Sequence, residues 1–365
     1  MFHFYPPEQK KLFRKMLLKK VLMVLAFLCF AYYIMEKTNT GKEMPSDSMF
    51  FSSMSTGGSI LFYAEKAEIR KKAMQDALSA IKEVEKTCNV FDSESELSKL
   101  NASAAKEPFQ CSDMLWDIIC RAKAFYTMSD GAFDVTCAPL IQLWAEAGKQ
   151  NKLPTEEQLN TAKEISGFDK VTLDLKKHTV SFSKPGMSIN LGGIAKGFAL
   201  DQAMVAAEKA GVHSGWIDIG GNVITLPTTP PGKKDFMATI RNPFKTTETF
   251  GKITMSNEAI STSGSYERFV TINGKRYSHI LNPRTGLPVE DSVSVTVIAE
   301  TGIASDALST SIFVAGPAIL DKLKLLYPKL KVLIVQGTAD NPKLLKFGDD
   351  WSGFNLEKES AQMRP

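Results

Sequence analysis

The stretch NLGGIAKGFALDQAMVAAEKAGVHSGWIDIGGNVITL, residues 190–226, decides the fold class. Gly192 and Gly193 make a tight turn out of an extended segment. Ala195–Ala210 then reads as a helix, because its alanines, leucine, methionine, glutamate and lysine are good helix formers. Gly211 stands where a helix stop needs left-handed backbone. Trp216–Ile219 and Val223–Leu226 flank Gly220-Gly221, the pattern of a β-hairpin. An extended entry, a helix and a hairpin in one short run predict an α+β domain whose sheet is covered by helices.

The flanking sequence extends this reading in both directions. Glu65–Cys88 is amphipathic, with Met74, Leu78, Ile81, Val84 and Cys88 on one stripe. Ser112 is placed to cap a second helix carrying Leu115, Ile118, Ile119 and Phe125. Thr155 and Gln158 have capping-box spacing, which predicts a short helix after Pro154. Val171–Leu175 and Thr179–Phe182 alternate around Lys176-Lys177-His178 and predict a hairpin. Phe269–Ile272 and Lys275–Ser278 flank Asn273-Gly274, a strong type I′ signal. Val293–Ala299 and Lys331–Gln336 read as strands, and Asp306–Ala315 and Ala318–Leu326 as helices. The expected organisation is one compact domain over 51–350, followed by a tail at 351–365.

The N-terminus reads as a membrane address. Lys10, Lys11, Arg14, Lys15, Lys19 and Lys20 precede Val21–Met35, which carries no charge. Residues 1–36 thus have the basic and apolar parts of an export signal, and 37–50 read as a polar linker. An uncleaved signal anchor is the expectation, with a cleaved signal as the alternative. Leu28 before Cys29 argues against lipidation, which wants a small residue there. The basic side stays in the cytoplasm, which predicts a globular part outside the inner membrane. The whole chain of 365 residues carries a net charge of +4 that comes from this N-terminal cluster, so the body offers no electrostatic case for nucleic acid. Cys88, Cys111, Cys120 and Cys137 form no CxxC pair, and only four histidines occur, which argues against a zinc cluster. Disulfide pairings stay open.

Walker, GxGxxG, HExxH and GxSxG patterns do not occur. Three polar clusters remain. Asn190–Gly197 joins an extended segment to a helix start with Lys196, which suits a phosphate, although tight turns use glycine for shape alone. His279 ends a predicted hairpin strand before Asn282-Pro283-Arg284-Thr285-Gly286, where it can accept a proton or simply brace the loop. Asp306 and Thr310 are four apart and share one helix face, as magnesium oxygen ligands or as a cap with a solvated threonine.

The order of the motifs carries more than any one of them. Met54-Ser55-Thr56, Phe133-Asp134-Val135-Thr136, LGGIAKG, IDIGGN, STSGSY, YSHILNPRTGLPV and SDALST follow one another from Met54 to Gly316. This series resembles the FAD:protein FMN transferase (ApbE) family. The resemblance implies a single α+β flavin-transferase domain, related to the T-fold, behind the N-terminal anchor. It implies cleavage of the FAD pyrophosphate, transfer of FMN through its phosphate to a Thr or Ser hydroxyl of a target flavoprotein, release of AMP, and a need for Mg2+. The implied acceptors are flavoproteins bearing a Thr/Ser flavinylation motif, such as subunits of membrane redox complexes.

Residue by residue, the resemblance puts Met54, Phe91, Ala132, Phe133, Asp134, Asn190, Lys196 and Ile280 against FAD. It assigns Gly193, Asp306, Ser309 and Thr310 to the metal and His279 to the base. Ser55, Asn190 and Asn222 depart from the Gly, Asp and Asp common at those points. Two alternatives share the same contacts: a pyrophosphatase that splits FAD into FMN and AMP, and a non-catalytic FAD-binding protein.

Overall fold

The computed structural model describes residues 44–232, 235–349, 351 and 354–356. Its main body comprises Pro45–Thr229 and Asp235–Pro365, and a second small unit comprises Met1–Met44 and Pro230–Lys234. The anchor read at 1–36 lies outside the described residues.

The body starts with strands β1 (Ser46–Ser53) and β2 (Thr56–Tyr63). Then come α1 (Ala67–Cys88), α2 (Glu96–Ser103), β3 (Phe109–Gln110), α3 (Asp113–Met128), α4 (Ala138–Gln150) and α5 (Glu156–Glu164). The hairpin β4 (Val171–Asp174) and β5 (Thr179–Phe182) leads into α6 (Ala195–Lys209). Next are β6 (Ser214–Ile219), β7 (Asn222–Thr225), β8 (Phe236–Arg241), β9 (Thr249–Met255) and β10 (Ala259–Gly264). The hairpin β11 (Phe269–Ile272) and β12 (Lys275–Ser278) follows, then β13 (Ser294–Ala299), α7 (Gly302–Ala315) and α8 (Leu320–Leu326). β14 (Lys331–Thr338), β15 (Asn341–Phe347) and β16 (Asn355–Leu356) complete it.

An eight-stranded sheet in the order β1-β2-β6-β7-β10-β13-β14-β15 forms the centre. Strand period decides what each face touches. Val295 and Val297 of β13, with Val332 and Ile334 of β14, join the core made with α1, α6 and α7. Ile298, Leu333 and Val335 point the other way, onto Ile240, Phe250, Ile253 and Met255 of β8 and β9. Helices therefore cover one face, and the small sheet β16-β9-β8 covers the other. A third core, around Leu140 and Trp144, fixes the β11–β12 hairpin through Ile272.

Local signals set many boundaries. Ser112 Oγ caps α3 at Leu115 N, and both halves of the Thr155–Gln158 capping box form. Asn273 and Gly274 take φ of 51° and 77°, the left-handed pair a type I′ turn requires. Three expectations change. Residues 46–50, read as linker, lie in β1, and the buried Arg70 ties that strand to α1 through Asp47 at 2.7 Å. Phe354, read as tail, is buried against the β8–β9 layer, with Trp351 packed beside it. Helix α7 starts at Gly302 rather than Asp306, because Thr301 caps it at Ala304 N while the Ser305 hydroxyl turns back to Gly302 O. The apolar window Gly302–Leu326 is long enough to span a bilayer, but it is mostly buried and is divided between α7 and α8 of this fold. Cys88, Cys111, Cys120 and Cys137 are all free thiols.

Candidate active site

The site is built where the starts of α6 and α7 meet the end of β10. Asn101 holds Ile189 by both backbone groups, its Nδ2 donating to Ile189 O and its Oδ1 accepting from Ile189 N. Asn190 N donates to Val135 O at 2.7 Å. This pins the glycine turn against the 133–135 segment. Asn190 Oδ1 accepts from Gly192 N at 2.8 Å, a bond that an aspartate carboxylate could make equally. Gly193 then presents bare backbone between two side chains. A Cβ built there would stand 3.3 Å from the Phe133 ring and 3.5 Å from Thr310 Oγ1.

Helix α7 supplies the opposite wall. Asp306 is 4% exposed, and its Oδ2 accepts from Gly197 N at 2.9 Å. Lys196 Nζ stands 3.7 Å from Asp306 Oδ1. Ser263 Oγ lies 2.9 Å from Ser309 Oγ and 3.2 Å from Thr310 Oγ1, while Ser261 Oγ lies 2.8 Å from Ser305 Oγ. Two strand residues rise roughly 6.8 Å and four helix residues roughly 6.0 Å, so Ser261 and Ser263 match Ser305 and Ser309 in step. This is the part the sequence reading missed. STSGSY was visible, but the pairing of its alternate serines with α7 needs the strand laid beside the helix.

His279 follows β12 and is held twice by Arg268: its N–H and its Nδ1–H both donate to Arg268 O, at 3.3 and 2.8 Å. A carbonyl can only accept, so Nδ1 carries the proton and Nε2 keeps its lone pair. His279 is exposed as a whole residue, but the protein packed around its ring pulls its pKa below the usual imidazole value. The Arg268 carbonyl opposes that shift, and the positive charges of Arg268 and Lys196 add to it. Lys196, Arg241 and Arg268 also act together on Glu267, whose carboxyl burial pushes up and those cations pull down.

The predicted residues thus fall into two groups. Phe133, Gly193, Lys196, Asp306, Ser309 and Thr310 are joined by the contacts above, with His279 within the field of Lys196. Met54 and Phe91 are each tied to the C-terminal end of α1 or the residues just after it. Met54 N donates to Glu85 Oε1 at 2.7 Å, and Phe91, 86% exposed, follows Asn89. Ala132 is buried beside Phe133. Asp134 turns its carboxylate away into its own segment, accepting from Thr136 N and Thr136 Oγ1. The Ile280 amide donates to Ser278 Oγ and its carbonyl accepts from Val289 N.

The three departures also find their places. Met54 and Ser55 form the β1–β2 turn with φ of 52° and 60°, the region that favours glycine. Ser55→Gly is expected to raise stability by about 0.5–1 kcal/mol. A chemical denaturation curve checks it, and an unchanged or lower midpoint would show that the turn carries no strain. Asn222 is buried on β7 with its Nδ2 unpaired among the described residues, an environment that would cost an ionised aspartate more.

The donor set around Asp306 is all oxygen. Among the described residues no group of three or more His, Cys, Asp or Glu could hold a metal ion. One carboxylate, hydroxyls and a backbone carbonyl suit a hard cation that keeps waters and substrate phosphate oxygens in its remaining positions.

Comparison with known proteins bears on the family and the fold. The FAD:protein FMN transferase of Haemophilus influenzae is 31% identical over 254 residues, which is 67% of this chain and 73% of that protein. The enzyme of the same name from Escherichia coli K12 is 30% identical over 256 residues, or 69% and 72%. Among solved structures, the ApbE protein of Thermotoga maritima superposes with a TM-score of 0.73 at 28% identity, covering 87% of this chain and 99% of that one. The flavin transferase ApbE of Vibrio cholerae gives 0.72 at 26%, covering 85% and 100%. The ApbE family pattern itself matches residues 54–334, and this chain belongs to the ApbE family.

Proposed function

We propose that this protein transfers FMN from FAD to a Thr or Ser hydroxyl of a target flavoprotein and releases AMP. The observation that carries the reading is the fixed His279 tautomer, which leaves Nε2 with the ring's lone pair in the field of Lys196. Nε2 takes the proton of the incoming hydroxyl. That oxygen bonds to the phosphorus of the FMN half, and the bridging P–O bond breaks with AMP leaving. Lys196 offsets charge on the phosphate oxygens, as phosphoryl transfer requires. Asp306, Thr310 and the Gly193 carbonyl would hold Mg2+, with the Ser309 hydroxyl beside them. The cation supplies further neutralisation of the pyrophosphate charge.

Phe91 and Met54 supply the flavin platform in this reading. A large aromatic ring left 86% exposed gains by stacking on a flat apolar surface. Phe91→Ala is expected to weaken FAD binding about 10-fold while leaving the rate at saturating FAD near wild type. A flavin fluorescence titration checks the first part. A large rate loss at saturation would remove the stacking role.

Basic residues ahead of Val21–Met35 support an inner-membrane anchor with the catalytic body on the extracytoplasmic side. Extracytoplasmic subunits of membrane redox complexes are then the acceptors within reach. The test uses the full chain in detergent with FAD, Mg2+ and an acceptor flavoprotein carrying a Thr/Ser flavinylation motif. Intact-mass spectrometry follows the acceptor while AMP is quantified. Phosphoester-linked FMN with equal AMP, both lost with chelator, is the expected result. AMP and free FMN with an unlabelled acceptor would favour the pyrophosphatase, and bound FAD with neither product would favour simple binding.

A further inference from the structure

Helices α6 and α7 exchange carboxylates at their starts. Asp201, in the second turn of α6, accepts from Gly302 N at 2.6 Å and Ile303 N at 2.9 Å, the first residues of α7. Asp306, in the second turn of α7, accepts from Gly197 N near the start of α6. The two backbones touch where they cross. A Cβ on Gly197 would stand 2.2 Å from Gly302 O, and one on Gly302 would stand 2.5 Å from Gly197 O. With no side chain cushioning the contact, the approach of the helices is set by the glycines and by these two carboxylates.

The first N–H groups of any helix lack partners within it. Thr301 already caps α7 locally, its Oγ1 accepting from Ala304 N. Asp201 adds something the local cap cannot, because it comes from another helix. It ties the start of α7 to α6, one turn before Asp306.

We infer that Asp201 is a positioning residue of the active site, setting where Asp306 and Thr310 stand relative to Gly193 and Lys196. The inference rests on the reading of Asp306 and Thr310 as cation ligands. Both helix starts carry one side of the site: Gly193 and Lys196 enter α6, while Asp306 and Thr310 lie on α7. Loosening the tie lets those two sides part by fractions of an ångström. Such a shift weakens a metal site without removing any ligand. Residues that orient ligands in this way typically change metal affinity about 10–100-fold when replaced.

The test compares the full chain with Asp201→Asn, Thr301→Ala and Asp306→Asn in detergent. Binding of Mn2+ alone is read from the loss of its free electron paramagnetic resonance signal, with thermal unfolding recorded alongside. Asp201→Asn is expected to weaken Mn2+ binding about 10-fold. Thr301→Ala, which removes a cap from the same helix but leaves the tie, should lower Tm and bind Mn2+ within about twofold of the parent. FAD affinity in chelator should be unchanged in both. Wild-type Mn2+ binding by Asp201→Asn, or equal weakening in Thr301→Ala, would overturn the positioning role. Equal Mn2+ binding by the parent and Asp306→Asn would instead overturn the cation reading. If Asp201→Asn does not fold, Asp201→Glu keeps the charge, lengthens the tie, and should still shift Mn2+ affinity.

Discussion

Asp306→Asn is expected to lose about 10²–10³-fold in FMN transfer, or roughly 3–4 kcal/mol of transition-state stabilisation. The asparagine keeps an oxygen able to accept from Gly197 N, so the α6–α7 junction should persist. What disappears is the one negative charge in an otherwise neutral oxygen set. Lys196, 3.7 Å away, is left without its partner, and a divalent cation is left with hydroxyls and a carbonyl. Asp306→Ala should lose as much activity and also lower Tm, because it strands a buried N–H. The measurement is AMP release over a Mg2+ titration, with circular dichroism as the control for folding. Full turnover by Asp306→Asn at low Mg2+ would refute the assignment.

His279→Ala carries the second large effect, a loss of about 10²–10⁴-fold in transfer with FAD binding retained. The Arg268 carbonyl fixes Nδ1–H, so only Nε2 can act as the base. The pH profile gives an independent check. Protein packing and nearby cations hold the imidazole pKa below its usual value. The base works unprotonated, so the rate should fall on the acid side through that lowered pKa and stay flat above it. The acid limb therefore lies below pH 6.5, the ordinary value for histidine. An unchanged acid limb in His279→Ala would assign the titration to another group. Transfer at the parent rate would remove His279 from the chemistry.

The elements legible in the sequence were those whose signal is local. Ser112, Thr155–Gln158, Asn273-Gly274 and Gly211 each act on backbone within a few residues, and each does what its pattern predicts. Strands β1, β8 and β15 gave weaker signals. Their exposed faces are mixed, and pairing partners rather than propensity make them strands. The start of α7 was placed too late because Asp306 can itself serve as a cap, whereas Thr301 is the residue with the β-region backbone that a cap needs.

For the site, the sequence by itself determined the residue types and their order along the chain. A lysine at a glycine turn, an Asp/Thr pair on one helix face, and a histidine after a hairpin are statements about residue type and spacing. Their motif order pointed to one family. Tertiary structure alone decided how those groups meet. It paired Ser263 with Ser309 and Thr310, turned Asp134 inward, gave His279 its tautomer through Arg268 O, and made Asp201 and Asp306 reciprocal caps. Each of those facts depends on the distance between segments far apart in the chain. Spacing along one segment cannot encode the approach of two glycine backbones at Gly197 and Gly302, because that approach exists only once the sheet has brought both helix starts to one place.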